Sequence, residues 1–272
     1  MAKYSDALYA DAIAATIGDI YYSSGTSYKS RIASMRSLTE YYIRRLIKHN
    51  PDWQIELGDD RTIKALNDAG INEKFFKDAY KVIRKNGNTS SHSPHESPTK
   101  EEFDNVAKAV VTIQAYLFFD FFKKYGFGTN KAIMSEFSLL PPFFRLTVLR
   151  ELVYLEPRNV EILHKFSLAL LKTIGKESSL EYIEQEKDKL EKFQLDGTAL
   201  FNAQLIGLES GTDYDYIRQE IVVFGDRFDN MPVMYKSFDD AKKYFVGMSN
   251  LAGDTEDVIE FKALMKYIYL GR

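Results

Sequence analysis

Apolar residues recur at steps of three and four through most of this chain, and alternation at every second position persists nowhere. Between Ser5 and Tyr22 the pattern puts Ile13, Ile17 and Ile20 on one helical face, and Ser23, Ser24 and Gly25 break the run. A second helix is predicted from about Ser27 to Lys48, with Ile32, Met35, Thr39, Tyr42 and Leu46 in one stripe. Asn50–Pro51 ends it. Gly58-Asp59-Asp60 then sets an aspartate at the N-cap of a helix from Arg61 to about Asp68, which Gly70 closes. Asn72 caps a further helix through Phe75, Phe76, Tyr80 and Ile83. Past the polar stretch 86–99, Thr99 and Glu102 have the spacing of a capping box. The helix they open holds the strongly apolar stretch Ala107–Phe122. Lys108, Gln114 and Asp120 interrupt it, and it falls short of the roughly 20 apolar residues of a bilayer span. It reads as a core helix, and no membrane association is expected.

The second half continues the same period. Helices are predicted over Pro142–Tyr154, Asn159–Ile174, Ser178–Phe193, Thr198–Leu208, Asp213–Phe224, Ser237–Met248 and Asp254–Leu270. Ile221–Phe224 and Val233–Tyr235 are the only stretches that suggest strands, and both are short. The expected class is all-α. Gly126, Gly128 and the pair Pro141–Pro142 punctuate the middle of the chain, so 126–142 reads as a linker between domains at 1–125 and 143–272. An echo runs through the second domain: Tyr182-Ile183-Glu184-Gln185-Glu186 returns 34 residues later as Tyr216-Ile217-Arg218-Gln219-Glu220. Ala169 and Ala203, and Leu171 and Leu205, share the offset. That is the period of tetratricopeptide repeats, so a repeat-like scaffold stands beside an unrelated bundle as a reading.

Charge separates the halves. Residues 1–125 carry 18 Lys+Arg against 16 Asp+Glu, and the rest carry 18 against 23, so the second domain is acidic. With 45% hydrophobic residues and a net charge of −3, the chain is no disordered polyelectrolyte. The absence of cysteine excludes disulfides, thiolate metal sites and cysteine nucleophiles, and four histidines leave little for an imidazole-rich centre. No metal or cofactor is expected. The N-terminus lacks the cationic-then-apolar block of a signal peptide, so the expected location is cytoplasmic. The Ser27–Lys48 helix is rich in cations. Arg36, Arg44 and Lys48 form either a solvated outer face or a ridge facing phosphates.

One segment suggests chemistry. In Val82-Ile83-Arg84-Lys85-Asn86-Gly87-Asn88-Thr89-Ser90-Ser91-His92, an apolar helix runs into a cationic turn, a Gly-Asn pair and a histidine. Arg84 offers a permanent forked charge suited to phosphate, with Lys85 beside it. His92 can give and take protons near neutrality. Gly87 and Asn88 suit a left-handed turn after the helix, and Asn88 is placed to orient His92. An arginine and a histidine on one phosphodiester can cleave RNA without metal, the imidazole moving protons and the guanidinium steadying phosphoryl charge.

The run IRKNGNTSSH, behind a capped helix and ahead of a strongly apolar one, resembles a branch of the HEPN superfamily. That branch carries an Arg-x-x-Gly-Asn-x-x-x-His motif and occurs in bacterial restriction-associated and defence proteins. The helix bearing Arg36 and Glu40 resembles the family's first core helix, and the likeness covers residues 25–125. It implies a HEPN-like helical bundle that forms a homodimer, with Arg84 and His92 elements meeting across the interface. It also implies RNA or nucleotide as ligand and a setting in antiviral defence or abortive infection. Seven residues lie between Arg84 and His92, a wider interval than active members usually keep. Two expectations therefore stand: an RNA-binding protein or metal-independent endoribonuclease, with Arg84, His92 and Asn88 catalytic, or a non-catalytic dimeric adaptor holding a protein partner through its acidic C-terminal domain.

Overall fold

The computed structural model describes residues 4–23, 25–48, 50, 52–92, 97–228 and 237–271, with the backbone alone for 87–92. Regular secondary structure among them is entirely helical. Ile221–Phe224 lies inside a helix, and Val233–Tyr235 falls outside the described residues. No helix among them is long and apolar enough to cross a membrane. The chain divides into two compact units, 4–121 with 251–271, and 122–250.

The first unit holds α1 (Ala10–Tyr21), α2 (Tyr28–Ile47), α3 (Asp60–Asp68), α4 (Lys74–His92) and α5 (Lys100–Tyr125) as far as Phe121. Their starts follow from local chemistry. Ser27 Oγ accepts from the Ser30 amide at 3.2 Å, and Asp59 Oδ1 from the Arg61 amide at 2.8 Å. Thr99 and Glu102 bond reciprocally, as a capping box does, at 3.2 and 2.8 Å. The predicted stripe of α2 is buried along its length and packs against α1, α3 and α4.

The last helix, α13 (Glu256–Leu270), belongs to this unit and not to the acidic half. The expected domain of 143–272 therefore ends earlier, and the reason is packing. Phe261 is fully buried with its ring 5.7 Å from Phe118 and 5.0 Å from Phe121, both edge-on. Tyr267 meets Tyr42 edge-on at 5.8 Å and accepts a hydrogen bond from Tyr4 at 3.3 Å. Tyr42 in turn takes a 2.7 Å hydrogen bond from Gln114 of α5. Gly271 closes α13 at φ 72°, where a Cβ would lie 2.7 Å from the Ala14 amide nitrogen.

The second unit contains α6 (Lys131–Phe137), α7 (Pro142–Leu155), α8 (Val160–Thr173), α9 (Lys176–Leu190), α10 (Gly197–Leu205), α11 (Asp213–Phe228) and α12 (Phe238–Met248). The segment 126–142, expected as a linker, is packed structure. Gly126 and Gly128 turn the chain at φ 81° and 84°, and Phe122, Phe127 and Phe137 then meet edge-to-face at 4.8–5.9 Å. Enough apolar side chains sit in that segment to bury, so glycine marks a corner and no free tether. The core of the unit gathers Leu163, Leu171, Ile183, Leu190, Ile217 and Ile221 from α8, α9 and α11. The 34-residue echo is half kept: Ile183 and Ile217 share that core, and Ala169 and Ala203 are both fully buried. Leu171 is 4% exposed and Leu205 70%. In a stacked repeat α10 lies against the preceding pair; here α11 packs on both α8 and α9 instead.

Candidate nucleic-acid interface

The motif region is shaped by an outcome that local sequence disfavours. α4 does not stop at Lys85: it runs through Gly87 to His92. A lone glycine inside a helix costs only about 1 kcal/mol against alanine, and no proline follows until Pro94. Asn86 Nδ2 donates to the Val82 carbonyl at 2.9 Å, and buried Ile83 anchors the turn before it. The expected left-handed turn at Gly87–Asn88 is therefore a continued helix, and Arg84, Asn88 and His92 stand on it at successive turns. His95 lies outside the described residues.

On a helical wheel Lys77, Lys81, Arg84, Asn88 and His92 fall within an arc of about 80°, along about 22 Å of axis. Arg84 and His92 are two turns, about 12 Å of rise, apart. Lys77, Lys81 and Arg84 edge a cleft of about 440 Å³ between α3 and α4. Its floor is apolar, from Ile63, Leu66, Ile71 and Phe76, and Asn67 stands on the opposite rim. Asp78, the acid on this part of α4, is paired with Lys74 at 2.8 Å. Lys77 donates to the Asn72 side chain at 3.3 Å. Among the described residues no carboxylate pairs with Lys81 or Arg84.

Tyr80 ties the cleft to the loop between α2 and α3. Its hydroxyl donates to the Leu57 carbonyl at 2.7 Å, and burial pushes its pKa up to about 12. The charges around it are Arg84, Glu40, Arg36 and Asp59, so Arg36 and Glu40 of α2 share the surroundings of Tyr80 with Arg84. Glu40 pairs with Arg36 at 3.5 Å, and burial raises its pKa against the pull of Arg36 and Arg44.

Comparison with family models, curated proteins and solved structures gives no match. The site therefore rests on its own geometry.

The other expected cations are engaged within the fold. Arg44 lies over the Tyr9 ring at 5.3 Å, and Lys48 pairs with Glu260 of α13 at 3.6 Å. Arg36 is held by Glu40, so Arg36 and Lys48 each face a carboxylate and Arg44 a ring. Lys85 is exposed and follows Arg84 round the helix. Sequence reasoning missed Lys77, Lys81, Tyr80 and Asn67. The signal for the lysines was present: steps of four and three lead from Lys77 through Lys81 to Arg84.

The second unit has its own charged cluster. His164 of α8 pairs with Glu220 of α11 and meets the Tyr216 ring edge-on at 5.5 Å. Burial first, then Arg145, lowers the Lys172 pKa to about 8, while Glu220 opposes the shift. Among the described residues no group of three or more His, Asp or Glu is placed to hold a metal ion.

Proposed function

We propose that this chain is a HEPN-like, cytoplasmic RNA-binding protein of a prokaryotic or phage-related defence system, engaging RNA along α4. The observation that carries the reading is the single stripe of Lys77, Lys81, Arg84, Asn88 and His92 on one unbroken helix. A straight row of cations suits a phosphate backbone, whose charges repeat along a line. Arg84 supplies the forked donors and His92 an imidazole. The two-turn interval favours contacts with neighbouring phosphates over a shared grip on one. Metal-free cleavage then calls for a homodimer in which Arg84 of one protomer faces His92 of its partner. There the imidazole moves the proton and the guanidinium steadies the phosphoryl oxygens.

The test is affinity for a mixed RNA pool, measured in EDTA. Arg84→Ala is expected to weaken binding about tenfold, on the order of one charged phosphate contact. Equal affinity for wild type and variant overturns the reading. Strand scission by wild type and not by His92→Ala makes the protein a nuclease; RNA left intact by both leaves a binder.

A second reading has an observation of its own. Phe201 and Leu205, one turn apart on α10, are 60% and 70% exposed on the acidic half. In that reading the second unit holds a protein partner and the first dimerises without cutting. Loss of a co-purifying partner in Leu205→Ser, with RNA affinity unchanged, is the result that favours it.

A further inference from the structure

We infer that the cleft between α3 and α4 is a docking subsite for one unpaired nucleobase, with Lys77 and Lys81 holding the phosphate beside it. The inference rests on the RNA-binding reading of α4 and adds a selection for single strands to it.

Three features meet in the cleft. Its floor is hydrocarbon and aromatic, from Ile63, Leu66, Ile71 and Phe76, so it favours a flat apolar face over a sugar or a free phosphate. Its size, about 440 Å³, lies in the range of about 300–1,000 Å³ usual for small-molecule sites. A base inside a duplex is stacked on both faces and cannot enter such a cleft, whereas a splayed base can. The cations are all on one edge, at Lys77, Lys81 and Arg84, and Asn67 faces them from α3. A ligand matching this pattern has one apolar plane with an anion fixed to one side, which describes a nucleotide. Asn67 offers both a donor and an acceptor to a base edge. The Tyr80 hydroxyl already donates to the Leu57 carbonyl, so at the cleft the tyrosine offers ring surface and no further donor. The same edge continues as the stripe toward Asn88 and His92, so a strand seated here by one base has its next phosphates directed along the motif.

The experiment uses the full chain and four labelled probes of equal length: oligoadenylate, oligouridylate, an abasic strand and a blunt duplex. Fluorescence anisotropy at fixed salt is expected to rank both base-bearing single strands at least about fivefold above the abasic strand and the duplex. Asn67→Trp fills the cleft from an exposed rim position and leaves the core intact. It is expected to bring single strands down to abasic affinity without changing abasic binding or the melting temperature. Lys77→Ala with Lys81→Ala is expected to weaken every strand and flatten the salt dependence. If abasic and base-bearing strands bind alike while Arg84→Ala still weakens both, the subsite is wrong and the RNA reading survives. If no strand binds, both fall. An acidic amphipathic peptide bound in an Asn67→Trp-sensitive way, where the strands are not, assigns the cleft to a protein and overturns the inference.

Discussion

The two units of this chain are held by different kinds of contact. The second is built mainly from helices near in sequence: α7 packs on α8, and α8, α9 and α11 pack with one another around a core that is mostly aliphatic. The first is closed by a helix that arrives after the whole second unit has been laid down, and polar groups fix it there. Tyr4, Tyr42, Gln114 and Tyr267 form one hydrogen-bonded and ring-packed set, with Arg45 paired to Asp6 at 3.2 Å and lying over Tyr267 at 5.0 Å. Local packing of helices is easy to form and tolerates variation. Long-range packing with buried polar partners specifies one arrangement and is sensitive to single atoms.

The sharpest way to break this contrast is Phe261→Ala. It empties a fully buried aromatic site between two rings and should cost about 3–5 kcal/mol. Hydrogen exchange should report the loss across α2, α5 and α13, with the second unit's core still protected. Uniform loss across both units would erase the distinction. Next comes the echo in the second unit. Leu171→Ala should cost about 2–5 kcal/mol, while Leu205→Ala stays within about 0.5 kcal/mol, read by denaturant unfolding. Equal costs would restore the two positions to a true repeat.

Tyr42→Phe should cost about 1–3 kcal/mol, because it strands the buried Gln114 amide that now donates to the hydroxyl. Gln114→Leu combined with Tyr42→Phe should recover part of that loss, since both polar partners are then gone.

A further effect is a pH trend. Burial depresses the folded Lys172 pKa to about 8 from its ordinary 10.5, so the unfolded chain binds more protons between those values. Wild-type stability should therefore rise, relative to Lys172→Met, as pH climbs from about 8 to about 10.5. Below that window the variant should be the more stable of the two. Melting temperatures across the range check this, and a flat difference would show that the ammonium is well solvated.

The sequence made much of the architecture readable. The caps at Ser27, Asp59, Thr99, Asn159 and Ser237 act where their side-chain chemistry puts them. The stripe of α2 and the core character of α5 follow from apolar spacing alone. Three things were not legible. The return of α13 depends on which apolar faces find each other, and helical period carries no address. Gly126, Gly128 and Pro142 look the same in a tether and in a packed corner, and only Phe127 and Phe137 decide between them. Gly87 reads as a stop signal, yet a helix with buried anchors and no proline overrides a penalty of about 1 kcal/mol. That override also changed the site. A motif expected to fold back on itself instead lies in line with two lysines that no motif named.

The units also differ at their surfaces: one carries cations along a cleft edge, the other an exposed apolar pair, Phe201 and Leu205. Hydrogen exchange on the full chain, with and without saturating single-stranded RNA, separates them most directly. Added protection confined to α3 and α4, lost in Arg84→Ala, is the expected result. Protection in the second unit alone, or protection in the first that Arg84→Ala leaves intact, would contradict it.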